Sequence, residues 1–98
     1  MNESKLDFNG LLISKEHRHF VEKKFRRILG LAPSDAVMTL CFTQGDNELN
    51  GDFQIHSRQR LFKANHNGQC FITLMETMSA TIMEQLKDWK KHRFCQET

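Results

Sequence analysis

The spacing of apolar residues changes along this chain in an order that few folds can accept. Lys5-Leu6-Asp7-Phe8-Asn9 alternates polar and apolar, the period of a short strand with Leu6 and Phe8 on one face. From Phe20 through Val21, Phe25, Ile28 and Leu29 the spacing becomes helical, and at about 100° per residue these side chains gather on one side. Alternation returns at Met38, Leu40 and Phe42. A helix bridging two strands of one sheet is a crossover, which predicts parallel strands and a right-handed connection.

The boundaries carry their own chemistry. Asn9-Gly10 breaks the first strand. Ser14 suits the N-cap of the helix, and Glu16 suits the positive end of its dipole. Gly30 and Pro33 are expected to end it. Residues 36–43 read as a strand with Val37, Thr39, Cys41 and Thr43 opposite the apolar set. Gln44-Gly45-Asp46-Asn47 reads as a turn. A further strand follows over 49–56, with Phe53 and Ile55 inward and Asp52, Gln54 and His56 outward. Ser57–Arg60 makes the next reversal and 61–65 another strand, with Asn67-Gly68 as punctuation. Phe71, Met75, Met78, Ile82, Leu86 and Trp89 then recur at helical spacing over roughly five turns. The predicted order is β-α-β-β-β-α. We therefore expect an α+β two-layer sandwich, a four-stranded sheet with both helices on one face. With 98 residues there is room for one core, so residues 1–98 read as a single domain.

Charge is sorted into blocks along this framework. Residues 15–27 hold Lys15, Arg18, Lys23, Lys24, Arg26 and Arg27 against Glu16 and Glu22. Residues 87–93 hold Lys87, Lys90, Lys91 and Arg93 against Asp88. Residues 34–54 hold Asp35, Asp46, Glu48 and Asp52 and neither Lys nor Arg. A net charge of only +2 thus conceals a polarised chain. Cations clustered on one surface are the footprint of a polyanion binder. His19, Lys23 and Arg26 fall opposite the apolar stripe of the first helix, flanked by Lys15 and Arg27. Arg26 and Arg27 have the fork geometry for bidentate phosphate contacts. Lys87, Lys90, Lys91 and Arg93 also offset the negative end of the second helix dipole. Arg58 and Arg60, near Lys63, either extend the basic surface or keep a hairpin tip soluble.

Other chemistries find little to build on. Cys41, Cys70 and Cys95 form an odd, widely spaced set that suits a reducing compartment. His17, His19, His56, His66 and His92 form no pair at helical i, i+4 spacing, and no C-x-x-C occurs, so no metal or other cofactor is expected. G-x-S-x-G, P-loop and dinucleotide fingerprints are absent; the chain does not read as an enzyme. The run Leu11-Leu12-Ile13 is too short to span a bilayer, and the start carries no apolar signal region. A soluble cytoplasmic protein is the expectation. Trp89 lies on the apolar stripe and reads as core, and the methionines of the second helix as gap fillers.

Two segments carry a resemblance to a known family. Ile13-Ser14, His17-Arg18, Phe20-Val21 and Lys24-Phe25 are similar to the start of the first helix in the short ribosome hibernation-promoting factors, also called ribosome-associated inhibitors. Ala64, Gly68-Gln69, Met75-Glu76, Met78, Ile82, Gln85-Leu86 and Lys90 can be laid without gaps on the ending of that family. The resemblance covers roughly residues 5–93, and the chain stops where a short member would. It implies a protein that binds the small ribosomal subunit near the decoding centre through basic residues of both helices and nearby loops. Such a protein occludes the messenger and transfer RNA path and favours stored ribosomes. The chain departs from the pattern at Cys70, where the family has a capping Asp, and at Thr81 and Glu84, where it has Lys and Arg. An exposed Glu repels phosphate.

The expected partner is therefore rRNA of the small subunit, with His19, Lys23, Lys24, Arg26, Arg27, Arg58, Arg60, Lys87, Lys90, Lys91 and Arg93 as candidate contacts. No membrane and no small-molecule substrate is expected, and the protein is expected to be a monomer off the ribosome. Two alternatives remain open at this point. One is a double-stranded RNA-binding domain, whose α-β-β-β-α core the order contains but which leaves the first strand unexplained. The other is a protein-interaction module that docks a partner through the acidic loop 45–52 or an exposed sheet face.

Overall fold

The computed structural model describes residues 4–58 and 60–96, with side chains as far as Lys91. The elements are β1 (Lys5–Asp7), α1 (Lys15–Leu31), β2 (Val37–Gln44), β3 (Leu49–His56), β4 (Leu61–Gly68) and α2 (Phe71–Gln96). They form one four-stranded sheet in the order β1-β2-β3-β4. β1 pairs in parallel with β2, Leu6 opposite Leu40, as the crossover requires. β2, β3 and β4 form an antiparallel meander. The parallel strand β1 is thus integral to the sheet, and a bare α-β-β-β-α core does not describe the chain.

One face of the sheet is apolar because the strands alternate. Met38, Leu40, Phe42, Phe53, Ile55 and Phe62 are fully buried there. Phe25 of α1 stacks on Phe53 with ring centroids 6.0 Å apart. Leu74 and Met78 of α2 come down over Gly51 of β3. Gly51 and Phe53 share a face, so both helices lie on the same side of the sheet. A Cβ at Gly51 would stand 2.6 Å from the Met78 Sδ and Cε atoms. Absence of a side chain there is what lets α2 approach. The outward face carries Thr39, Thr43, Asp52, Gln54 and His56, with Asn50 Nδ2 donating to Asn67 Oδ1 at 2.6 Å.

Local signals account for most boundaries. Asn9 and Gly10 have φ of 51° and 72°, the left-handed turn that Asn and Gly tolerate. Ser14 caps α1, its Oγ accepting from the His17 N–H at 3.1 Å. Several boundaries differ from the sequence reading: β1 ends at Asp7, so Phe8 lies beyond it, and β2 spans Val37–Gln44 rather than 36–43. α1 runs through Gly30 to Leu31, because Gly30 is exposed with nothing near it and only Pro33 stops the turn. β4 continues through Asn65, His66 and Asn67 to Gly68. Each of those residues pairs with β3 in unbroken register, and the ladder overrides the turn propensity of Asn-Gly. No described helix is long and apolar enough to cross a membrane.

Candidate nucleic-acid interface

α1 presents three stripes set by its register. Val21, Phe25 and Ile28 are buried against the sheet. His19, Lys23 and Arg26 are exposed on the opposite side. Between these, on the flank toward α2, lie Phe20, Lys24 and Arg27, with the Lys24 Nζ 5.6 Å from the Phe20 ring centroid. Among the described residues the ion pairs are Arg18 with Glu22 at 3.3 Å and Arg60 with Asp88 at 3.1 Å. None of Lys23, Lys24, Arg26 or Arg27 therefore has a carboxylate partner among those residues. Their charge is available to an external anion, which is what a phosphate-binding stripe needs.

Lys24, Arg27 and Ile28 form one wall of an open cleft of about 360 Å³ between the helices; Glu76, Ser79, Ala80 and Met83 of α2 form the other. A smaller depression of about 240 Å³ beside it is lined by Phe20, Lys23, Lys24 and Arg27. Glu76, Ala80 and Met83 step along α2 at spacings of four and three. Lys87 and Lys90 continue that stripe, since residues three and four apart on a helix are neighbours. Both are exposed. Lys24 and Arg27 thus stand on the α1 wall, and exposed Lys87 and Lys90 follow the opposite, α2 stripe toward its C-terminus. α2 has 26 residues and α1 has 17, so at about 1.5 Å per residue α2 outreaches α1. Its lysines extend the basic flank past the α1 terminus.

Other candidates are placed elsewhere. Arg60 reaches Asp88 and lies over Phe62, 5.3 Å from the ring centroid, on the β4 side of α2. Arg58 is exposed at the β3–β4 turn, where its backbone N–H donates to Asp35 Oδ2 at 2.9 Å. Neither arginine joins the groove. Lys91 is exposed four residues beyond Lys87 and lines neither of the clefts described above. The side chain of Arg93 lies outside the described residues.

The two departures in mid-α2 also point away from the groove. The Thr81 hydroxyl donates to the Thr77 carbonyl at 3.2 Å and lies 3.0 Å from His66 Nε2. With its hydrogen on the Thr77 carbonyl, the hydroxyl oxygen is the acceptor for the Nε2–H tautomer of His66. Thr81 thus ties α2 to β4. Glu84 stands about 100° round the helix from Met83, exposed beside Arg60, Gln85 and Asp88. The carboxylate that does reach the groove is Glu76. Ser79, Ala80 and Met83 went unnoticed in the sequence as groove residues. The small pair Ser79-Ala80 inside an apolar stripe was the available signal for a close helix approach.

The acidic segment lies at the other end of the molecule. Gln44, Asn47 and Glu48 of the β2–β3 hairpin line a depression with His17 near the start of α1 and Cys70 at the start of α2. Asp46 and Glu48 are exposed there. Carboxylates thus gather at the β2–β3 hairpin, away from the exposed cations in the later turns of α2; the first turn of α2 carries no acidic residue and the last turn of α1 no basic one. Cys70 precedes α2, and its carbonyl accepts from the Leu74 N–H at 3.0 Å. Hydrogen bonds from the backbone N–H groups of Thr73 and then Ile72 hold its thiol below the ordinary range.

Among the described residues no group of three His, Cys, Asp or Glu side chains is arranged to hold a metal ion. The fold is that of known proteins. The chain superposes on the Protein Y N-terminal domain of Thermus thermophilus with a TM-score of 0.70 and 18% identity, over 91% of this chain and 99% of that one. It superposes equally on a ribosomal subunit interface protein from Coxiella burnetii, with a TM-score of 0.70 and 17% identity, over 89% and 96% of the two chains. No protein-family model and no curated protein matches the sequence. By fold, then, this is a β-α-β-β-β-α sandwich with a basic inter-helix groove. Proteins that share this architecture include the Thermus thermophilus Protein Y N-terminal domain and a Coxiella burnetii ribosomal subunit interface protein.

Proposed function

We propose that this protein is a ribosome-associated translation inhibitor of the hibernation type. It binds rRNA of the small subunit through the basic flanks of α1 and α2 and sterically blocks the messenger and transfer RNA sites. The observation that carries the reading is the pair Lys24 and Arg27 on the α1 wall of the inter-helix groove, with exposed Lys87 and Lys90 further along α2 and no carboxylate partner for the α1 cations among the described residues. The shared architecture with a protein described as a ribosomal subunit interface protein supports it. Action by occupancy needs no turnover, no cofactor and no small-molecule substrate, and a cytoplasmic monomer suffices. A backbone-reading surface of this kind suits structured RNA, which is recognised largely by shape and phosphate.

The test is co-sedimentation with vacant small subunits at low and moderate salt. The protein is expected to pellet with the subunits and to lose affinity steeply as salt rises. Reversing charge at three exposed positions, Lys23→Glu, Arg26→Glu and Arg27→Glu, is expected to weaken binding by about a hundredfold or more. Unchanged pelleting of that triple variant overturns the assigned surface.

A further inference from the structure

The cleft between α1 and α2 is chemically more specific than a phosphate stripe requires. Its floor is apolar, from Ile28, Ala80 and Met83; one rim is cationic, from Lys24 and Arg27; Glu76 stands on the other. Ser79 is only 7% exposed, and its hydroxyl, closed to solvent, has no hydrogen-bond partner among the described residues. The volume, about 360 Å³, falls within the roughly 300–1,000 Å³ typical of small-molecule sites.

Each feature excludes some occupants. A bare anion gains from Lys24 and Arg27 but is repelled by Glu76 and leaves the floor wet. An uninterrupted duplex presents phosphates to the rim and has nothing to send inside. A flat heterocycle with N–H donors on one edge, tethered to phosphates, meets every wall. Its π-face covers Ile28 and Met83, whose thioether favours aromatic contact. Its edge donates to Glu76.

We propose that this cleft receives one unpaired guanine of an RNA strand, with the flanking phosphates held by Lys24, Arg27, Lys87 and Lys90. The inference rests on the RNA-binding function proposed above and specifies its ligand. Guanine is selected because its N1–H and N2–H donors lie side by side and match the two oxygens of a carboxylate. Uracil offers a single ring N–H there. The same base could come from a free nucleotide, but one phosphate cannot span the basic flank, so an RNA strand is the occupant.

Fluorescence anisotropy with the full chain tests this on three RNA hairpins of one stem sequence, carrying a bulged guanine, a bulged uracil or no bulge. The guanine hairpin is expected to bind roughly tenfold more tightly than the unbulged stem, with uracil between. Guanosine monophosphate at micromolar concentration is expected not to displace it; displacement at that level overturns assignment to an RNA strand. Ala80→Leu fills the cleft from an exposed position and is expected to give equal affinity for bulged and unbulged stems. Glu76→Gln, also at an exposed position, is expected to abolish the guanine-over-uracil preference. Circular dichroism confirms that both variants keep the fold. Equal binding of all three hairpins by the unaltered protein overturns the cleft assignment while leaving the basic surface standing. Retention of the bulge preference by Ala80→Leu overturns it too. Failure to bind any hairpin or any ribosomal subunit removes both readings together.

Discussion

Cys70 stands where an N-cap does its work, yet its thiol is a poor acceptor for the amides of Ile72 and Thr73, and the first turn of α2 contains no acidic residue. Cys70→Asp supplies both a capping oxygen and a negative charge at the positive end of the dipole. It is expected to raise stability by about 1 kcal/mol at neutral pH, read by urea denaturation. The cysteine itself makes stability pH-dependent. Amide hydrogen bonds, Thr73 first, hold the folded thiol below its ordinary range, so the folded state favours the thiolate. That contribution is complete above the unfolded thiol pKa and disappears as pH falls through the folded value. Stability of the parent protein relative to Cys70→Ser is thus expected to grow as pH rises toward the ordinary thiol pKa of about 8.5 and to level off above it; a constant difference contradicts it. At Gly51 the issue is space. Gly51→Ala forces the Met78 terminus and Leu74 aside and is expected to cost about 1–3 kcal/mol, measured in the same way.

At the scale of elements, α2 does more than cover the sheet. The Gln85 side chain accepts from the Lys63 N–H at 2.9 Å and donates to the Lys63 carbonyl at 2.7 Å. The amide thereby acts as one residue of a missing fifth strand. In an antiparallel ladder both polar groups of a residue point to one side, alternating along the strand. Lys63 therefore turns outward, and Phe62 and Ala64 turn toward β3. Gln85 thus blunts the β4 edge, a position that otherwise invites strand pairing with another chain. Gln85→Ala is expected to speed amide hydrogen exchange at Lys63 by at least about tenfold while Phe62 and Ala64 keep their protection. Equal acceleration at all three shows instead that the whole strand has loosened. Gln85 was visible in the sequence only as part of a family-like run. Its role depends on where α2 crosses β4, and no local pattern encodes that crossing.

For the whole molecule the governing property is charge sorted into separate blocks, carboxylates at the β2–β3 hairpin and cations on α1 and the later turns of α2. Blocks of Lys and Arg on α1 and α2 were legible from composition, and so was the helical stripe of His19, Lys23 and Arg26. Their division between the groove and the far side of α2 was not. Arg60 is drawn to Asp88, and Glu84, one mid-helix departure from the family pattern, stands outside the cleft. Glu84 therefore lowers the potential around the groove without blocking a contact within it. Glu84→Lys is expected to increase the magnitude of the salt slope of RNA binding by no more than about 1, read from affinities at several salt concentrations. A much larger increase places Glu84 in the contact surface itself.

Periodicity alone determined the six elements, their order and both helix faces, because alternation and the 3.6-residue repeat are properties of the backbone that local sequence expresses. Turn chemistry placed the Asn9-Gly10 break and the Ser14 cap for the same reason. Only the tertiary structure decided that β4 runs on to Gly68, since ladder pairing with β3 outweighs the local preference of Asn-Gly. It alone brought Ser79, Ala80 and Met83 opposite Lys24 and Arg27. Residues some fifty positions apart meet there because two helices pack on one sheet face, a consequence of the global burial of apolar surface rather than of any short stretch of chain.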